Sequence, residues 1–202
     1  MRHALRLLKP LVLAAALLLV TASLCKKETP PERQWERGAF QPLPANTKPY
    51  QLPAGISIVT MYGADDPTSM SELPLLMTVH NSGQENVDVT FPAGLVFSPS
   101  DAEYQHVILL QDCSFTAATG ADRDVLLPTY CCNADLYEPD DASFYFIAGR
   151  EWDRETEELL DLVADKALSG QDAVLLAQDA LFEITDGDSL TDSTRTKLAN
   201  LP

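Results

Sequence analysis

Residues 73–132, which read LPLLMTVHNSGQENVDVTFPAGLVFSPSDAEYQHVILLQDCSFTAATGADRDVLLPTYCC, decide the fold. Short apolar runs alternate here with turn residues, a pattern typical of antiparallel β-strands. Residues 75–80 and 87–91 flank a short loop that contains Gly83, as the two arms of a hairpin do. In the second arm apolar residues alternate with polar ones, which predicts one buried side and one solvent-facing side.

Further strands are predicted on both sides of this hairpin. The apolar runs lie at residues 55–62, 95–97, 107–115, 125–132 and 144–148. Pro92 and Gly94 break the ladder before residue 95, because proline has no N–H to donate and glycine relaxes the backbone. The run 107–115 is more continuously apolar than the others, which is typical of a strand near the centre of a sandwich. Six or seven strands over residues 51–150 predict an Ig-like antiparallel β-sandwich.

Residues 151–202 predict a helical region packed on or beside the sandwich. Asp153 is a suitable N-cap for a helix over 154–168. The acidic residues of its first turn lie near the positive end of the helix dipole, which favours the same start. A second helix is expected over 172–184. A short third helix over 191–200 stays open, since its apolar content is thin. The predicted fold class is therefore mainly β with C-terminal α, an Ig-like sandwich followed by a helical pair.

The first 24 residues have the pattern of a secretory signal peptide. Arg2, Arg6 and Lys9 precede the apolar run 11–20, which is too short to span a membrane comfortably. The formal net charge is −16, and removal of this segment would make it three units more negative. Such a surface repels phosphate backbones, so no nucleic-acid partner is expected. The acidity is typical of a well-solvated extracytoplasmic surface.

Two mature forms stay open. Small residues favour cleavage after Ala22. Alternatively, Cys25 directly follows the apolar segment and resembles the lipidated cysteine that begins a bacterial lipoprotein, although Leu24 departs from the small residue usual before it. Residues 25–50 are rich in proline and predict an extended tether. A membrane contact is expected only through a lipid on Cys25.

The remaining cysteines are Cys113, Cys131 and Cys132. Outside the cytoplasm, a disulfide between Cys113 and either member of the adjacent pair is one option. A symmetric hairpin around the turn at Gly120 would place Cys113 nearer Leu127 than Cys131. Hairpin geometry therefore gives that bridge no direct support.

The sequence contains no recognisable catalytic set, so no enzyme activity, metal or cofactor is predicted. His80 and His106 each lie at a strand end without a ligand partner at metal spacing. No serine lies in a G-x-S-x-G elbow, and no glycine-rich phosphate loop is present. Carboxylate pairs such as Asp140 with Asp141 are read as turn chemistry rather than as a calcium site.

Two short segments suggest a different chemistry. Residues 129–133 (TYCCN) and 176–182 (LAQDALF) resemble the Cys and Gln motifs of Gram-positive thioester adhesin domains. The resemblance implies that Cys131 or Cys132 condenses with Gln178 into a thioester that surface amines attack. The alternative is that these cysteines are buried or disulfide-bonded, with Gln178 an ordinary polar position of a helix.

A broader likeness covers about residues 73–188. An uncharacterised group of bacterial secreted proteins and lipoproteins has PAG-T-x-F, AYCL and Q-x-A-x-W-x-x-T-D segments in this order. This chain resembles that group through PAGLVF at 92–97, Tyr130-Cys131 and the segment at 178–186, where Phe182 replaces the tryptophan. The resemblance implies export and this fold, and it implies that the region of Cys131 lies near the helix end at 177–187. It implies no activity.

The sequence thus predicts an exported bacterial envelope protein, located in the periplasm, the outer envelope or the medium. Its expected role is non-catalytic, the binding of a protein or glycan, because sandwich modules carry such sites in their loops. Covalent adhesion through the Cys–Gln thioester is the alternative.

Overall fold

The computed structural model describes residues 47–64, 74–150, 153–187 and 189–202. The predicted signal peptide, Cys25 and most of the predicted tether lie outside these residues. Within them the chain forms nine strands followed by three helices. The fold is therefore mainly β with C-terminal helices, as predicted, whereas the predicted helical pair is wrong because a third helix follows it.

The strands form three antiparallel sheets, with β1, β2 and β7 in the first, β3 and β6 in the second, and the order β8-β5-β4-β9 in the third. The strands are β1 (Ile56–Gly63), β2 (Leu75–Asn81), β3 (Val87–Phe91), β4 (Leu95–Pro99), β5 (Val107–Leu109), β6 (Cys113–Ala117), β7 (Asp122–Leu127), β8 (Thr129–Cys131) and β9 (Tyr145–Arg150). The helices are α1 (Arg154–Val163), α2 (Gln171–Thr185) and α3 (Asp192–Ala199).

One long hairpin is shared between two sheets. Phe91 pairs with Cys113 where β3 meets β6, and Val96 pairs with Ile108 where β4 meets β5, so the register is the same on both sides of the gap. The proline–glycine turn between β3 and β4 interrupts one arm, and the other arm is interrupted opposite to it. The strand predicted over 107–115 is therefore two strands, because the hairpin bends there from one sheet into another.

The strand predicted over 125–132 is likewise divided. Pro128 separates β7, which pairs with β2, from β8, which pairs with β5. Proline cannot donate to a ladder, so this is the position at which the chain leaves the first sheet and joins the four-stranded sheet.

The protein has two hydrophobic cores, and the four-stranded sheet separates them. All nine strands contribute to the first core, which lies between the sheets. The second core lies between the outer face of the four-stranded sheet and the helices, and it includes Val96, Ile108 and Tyr130 from the sheet with Leu159 and Leu181 from the helices. Both faces of β4, β5 and β8 are therefore buried, which explains why their sequences are mostly apolar and contain no charged residue.

The first helix begins as predicted and ends early. Asp153 is its N-cap, and the carboxylate accepts from the backbone N–H of Thr156 at 2.7 Å. The Gln111 carboxamide, from the turn after β5, donates to the carbonyl oxygens of Val163 and Lys166. The helix α1 ends at Val163 rather than near residue 168, and the Gln111 carboxamide satisfies carbonyl groups that its C-terminal end leaves without an intrahelical partner.

The third helix is held mainly by polar contacts, which is why its thin apolar content gave a weak signal. Only Thr194 and Leu198 are buried in it. Thr194 donates to a Glu183 oxygen at 2.5 Å, which ties α3 to α2. Arg195 forms two hydrogen bonds to the Glu158 carboxylate, which tie α3 to α1.

Candidate functional site

Cys131 and Gln178, which the sequence placed in one candidate site, are in direct contact. The Gln178 Oε1 accepts from the Cys131 backbone N–H at 2.9 Å, and the Gln178 Nε2 donates to the Cys131 carbonyl oxygen at 2.9 Å. β8 is the last strand of its sheet, so these backbone groups have no strand on that side among the described residues. The carboxamide takes the place of a neighbouring strand, and this contact is buried, with Gln178 only 4% exposed.

The adjacent cysteines face different cores. Cys131 belongs to the core between the sheets, and Cys132 belongs to the core beneath the helices. Successive residues of a strand point to opposite faces, so this division follows from the pleat. The Cys132 backbone N–H donates to the His106 carbonyl oxygen at 2.9 Å, which continues the pairing of β8 with β5.

Cys113 lies elsewhere, at the start of β6, and pairs with Phe91. It is partly buried, and burial raises the pKa of its thiol, which lowers its reactivity at neutral pH. Among the described cysteines, no disulfide joins Cys113 to Cys131 or Cys132.

Tyr145 is the titratable side chain of the first core that lies near Cys131. Burial, and then the nearby Cys131 thiol, raise the pKa of its hydroxyl well above the usual range, so it stays neutral. The hydroxyl donates to the Gln105 carbonyl oxygen at 3.0 Å. Gln105 in turn joins two loops, since it accepts from the Asn133 N–H and donates to the Leu136 carbonyl oxygen. Through Gln105, Tyr145 is thus connected to the loop after β8.

The two histidines occupy structural positions. His80 on β2 lies 2.7 Å from an Asp122 oxygen on β7, at the surface. His106 is buried, and its Nδ1 lies 2.9 Å from the Ser98 Oγ on the neighbouring strand. Within the described ranges, no three side chains of the metal-ligating types converge on one point. Asp140 behaves as a turn residue, because its carboxylate accepts from the Ala142 N–H.

A second candidate site lies at the start of β9, which is the end of that strand farther from the beginning of α1. We call it the aromatic end and define it by Tyr104, Tyr137, Phe144 and Phe146. Tyr137, Phe144 and Phe146 are 66%, 56% and 53% exposed, respectively. The rings of Tyr104 and Tyr137 lie 6.1 Å apart at a tilt of 57°. These are large apolar groups that the fold leaves in contact with solvent.

The sheet register explains why Phe146 is exposed. Tyr145 points into the first core, so Phe144 and Phe146 point to the outer face of the sheet. Phe146 pairs with Ser98 on β4, two residues beyond Val96, which the helices cover on that same face. The helical layer therefore covers the centre of this face and reaches Ala148 on β9, but it leaves the start of β9 around Phe146 bare.

Two acidic loops surround these rings. They contain Asp101, Glu103, Asp135, Glu138, Asp140 and Asp141, all of them exposed. The Tyr104 hydroxyl donates to the Asp140 carboxylate at 3.1 Å. Partial burial, and then Asp140, Asp101 and Glu103, raise the pKa of Tyr104.

The acidic loop that contains Asp140 is held in place by a close contact with β1. The Gly63 N–H donates to the Ser143 carbonyl oxygen at 3.2 Å. A Cβ on Gly63 would overlap the backbone of Asp140, so glycine permits this contact.

The sequence interpretation did not identify the aromatic end. The apolar run 144–148 was predicted as a strand, and it corresponds to β9 at Tyr145–Arg150. The available signal was the triplet Phe144-Tyr145-Phe146, which places rings on both faces of one strand. Such a strand needs a cover on each face, and the sequence offered no sign that one cover was missing.

Comparison with known protein families, curated proteins and solved structures returned no match to this chain. In the described part of the chain, the helices lack the length and hydropathy needed to span a bilayer.

Proposed function

We propose that this chain is an exported bacterial envelope protein that binds a protein or glycan, without catalysis, through the aromatic end of an Ig-like sandwich. The observation that carries the proposal is the bare outer margin of the four-stranded sheet, where Phe144 and Phe146 are more than half exposed. Exposed apolar groups rimmed by polar residues are typical of interaction surfaces. All nine described strands contribute to the core between the sheets, which supports the Ig-like assignment.

The position of the tether also supports this proposal. Lys48 pairs with Arg150, the last residue of β9, through hydrogen bonds of 2.9 and 2.7 Å. The aromatic end begins at Phe144, just before the first residue of β9. The strand has six residues, which corresponds to about 20 Å. In a chain anchored through Cys25, the tether would therefore join the domain at the end of β9 opposite the aromatic end.

A sedimentation assay tests this function. Purified protein is mixed with isolated envelopes of the producing bacterium, and the bound fraction is measured. We expect the double variant Tyr137→Ala, Phe146→Ala to bind at least about tenfold more weakly. Truncation of an aromatic residue that anchors a partner often costs more than about 1 kcal/mol of binding free energy. The matched control is Val59→Ala, Leu175→Ala, which alters two exposed apolar residues elsewhere.

Equal binding by wild type and the aromatic variant would refute the assignment of the site. Protease treatment of the envelopes beforehand distinguishes the two partner classes, because only a glycan ligand survives it. The mass of the mature protein tests export separately, since it reports a start at Ser23 or a lipid on Cys25.

The second candidate function is covalent adhesion through a thioester, and the hydrogen bonds that hold the Gln178 carboxamide against the Cys131 backbone favour it. In this reaction the Cys131 thiol adds to the Gln178 carboxamide carbon, the C–N bond breaks, and ammonia leaves with the thiol proton. The Cys131 N–H, at 2.9 Å from Oε1, would stabilise the negative charge that develops on that oxygen. A primary amine would later attack the same carbon, form an amide and restore the thiol.

Burial would protect such a bond from water, because Cys131 is 1% and Gln178 is 4% exposed. The test is the intact mass of the non-reduced protein. A thioester predicts a deficit of one ammonia in wild type and in Cys132→Ser, and no deficit in Cys131→Ser. Finding the full mass in wild type would eliminate this function.

A further inference from the structure

We propose that the ligand of the aromatic end is a cationic protein segment, rich in lysine or arginine, that lies across Tyr104, Tyr137 and Phe146. This inference rests on the proposed function and names its partner class. The occupant follows from the charge of the loops and from the chemistry of exposed aromatic rings.

The charge of this surface has one sign. The loops 100–106 and 133–144 contain six carboxylates and no lysine or arginine. Of the described cations, Arg150 lies on the same strand as Phe146 but at its far end, and it pairs there with Glu157 at 2.6 Å. A phosphate-bearing partner would be repelled, whereas a cationic one would be steered to this end.

The rings supply the second part of the recognition. An ammonium or guanidinium group is attracted to the face of an aromatic ring, and the methylene stem of lysine or arginine packs on apolar surface. The Tyr104 hydroxyl is already bonded to Asp140, which fixes this ring beside a carboxylate. Tyr137 is 66% exposed, and its ring centroid lies 6.1 Å from that of Tyr104. A cation could therefore contact a ring and the Asp140 carboxylate together.

The outer margin of the sheet completes the surface. Ser100 donates its N–H to the Phe144 carbonyl oxygen at 2.8 Å, and Tyr137 donates its N–H to the Glu103 carbonyl oxygen at 2.9 Å. The loop 100–106 therefore bonds to the start of β9 on one side and to the segment of Tyr137 on the other, so it links the parts of the chain that carry these rings. A neutral glycan would use the rings, but it would leave the surplus of carboxylates without a counter-charge.

Titration of the full mature chain with three probes tests this inference. The probes are an octalysine peptide, an octaglutamate peptide and a neutral chitin tetrasaccharide, followed by fluorescence or calorimetry at low and moderate salt. We expect only octalysine to bind, with an affinity that falls as salt rises. Tyr137→Ala should weaken binding by about threefold, as expected for loss of one exposed cation–π contact. Glu138→Gln, Asp141→Asn should weaken it by about fivefold.

The matched control is Asp161→Asn, Asp179→Asn, which removes the same charge from exposed positions of α1 and α2. An equal loss in this control would show that octalysine binds the net charge of the protein and not this site, and would overturn the inference. Binding of the tetrasaccharide, lost in Tyr137→Ala, would also overturn it while supporting the proposed function. If no probe binds, the partner class is wrong, and the envelope assay still decides the function independently.

Discussion

The outer face of the four-stranded sheet is built in two different ways over a short distance. At its centre Ile108 is 2% exposed and lies beneath the helices, whereas at its margin Phe146 is 53% exposed. Both are large apolar residues on the same face. Stability requires only the first to be covered, so the second is available for contact with another molecule. The comparison separates residues that hold this fold together from residues that the fold displays.

The largest predicted difference comes from truncating these two residues. Ile108→Ala should lower the free energy of unfolding by about 2–5 kcal/mol, because it leaves a cavity between the sheet and the helices. Phe146→Ala should change it by less than about 0.5 kcal/mol, as is usual for surface positions. Urea unfolding of both variants measures this. Comparable losses would mean that the margin is also part of the core.

The second prediction concerns the edge of β8, which is covered by one side chain. Gln178→Leu should lower the free energy of unfolding by about 3 kcal/mol, because the buried Cys131 N–H and C=O would each lose the hydrogen bond to the carboxamide. Gln171→Leu is the matched control on the exposed first turn of α2, and we expect little change there. If Gln178→Leu unfolds at the wild-type urea concentration, the carboxamide is not needed to close the strand edge.

The smallest effect is expected on the solvent side of the helical layer. The hydrogen bond from Arg195, opposed by partial burial, lowers the pKa of Glu158. A lowered pKa stabilises the folded state above the pKa of the unfolded chain, and this contribution disappears as the pH falls through the folded pKa. Both side chains are about one-third exposed or more, so solvent screens the pair.

We therefore expect Glu158→Gln to be slightly less stable than wild type near neutral pH and equal to it at about pH 2, measured by urea unfolding. Asp161→Asn, an exposed change one turn further along α1, is the control for loss of charge alone. A difference that persists at acid pH would show that packing, and not charge, is responsible.

Local patterns in the sequence predicted the elements better than their arrangement. Apolar runs located β1 and β2, alternation located β3, and the chemistry of Asp153 located the start of α1. The division of the run 107–115 was missed because its polar residues Gln111 and Asp112 were included in one strand. The bend depends on Pro92 in the other arm of the hairpin, and only the pairing reveals it. The position of the helices over the four-stranded sheet could not be predicted for a similar reason. A strand that is buried on both faces has the same apolar sequence whether helices or a second sheet cover its outer face.

The candidate site was predictable only in part. The expected nearness of Cys131 and the helix that carries Gln178 came from the order of resembling segments, since 47 residues separate the two in sequence. Their hydrogen bonds could not be predicted, because they depend on β8 being at the sheet edge. The exposure of Phe146 depends on how far the helices extend over the sheet, which no local pattern encodes.

The interrupted hairpin also has a consequence for how the chain folds. Its arms, from β3 to β6, keep one register across the bend, and the loop between Phe97 and Val107 is short. A loop of about ten residues closes in roughly 10–100 ns, whereas pairing β2 with β7 requires a much longer loop to close and costs more entropy. We therefore expect this hairpin to be structured in the folding transition state, so that substitutions within it slow folding more than they accelerate unfolding.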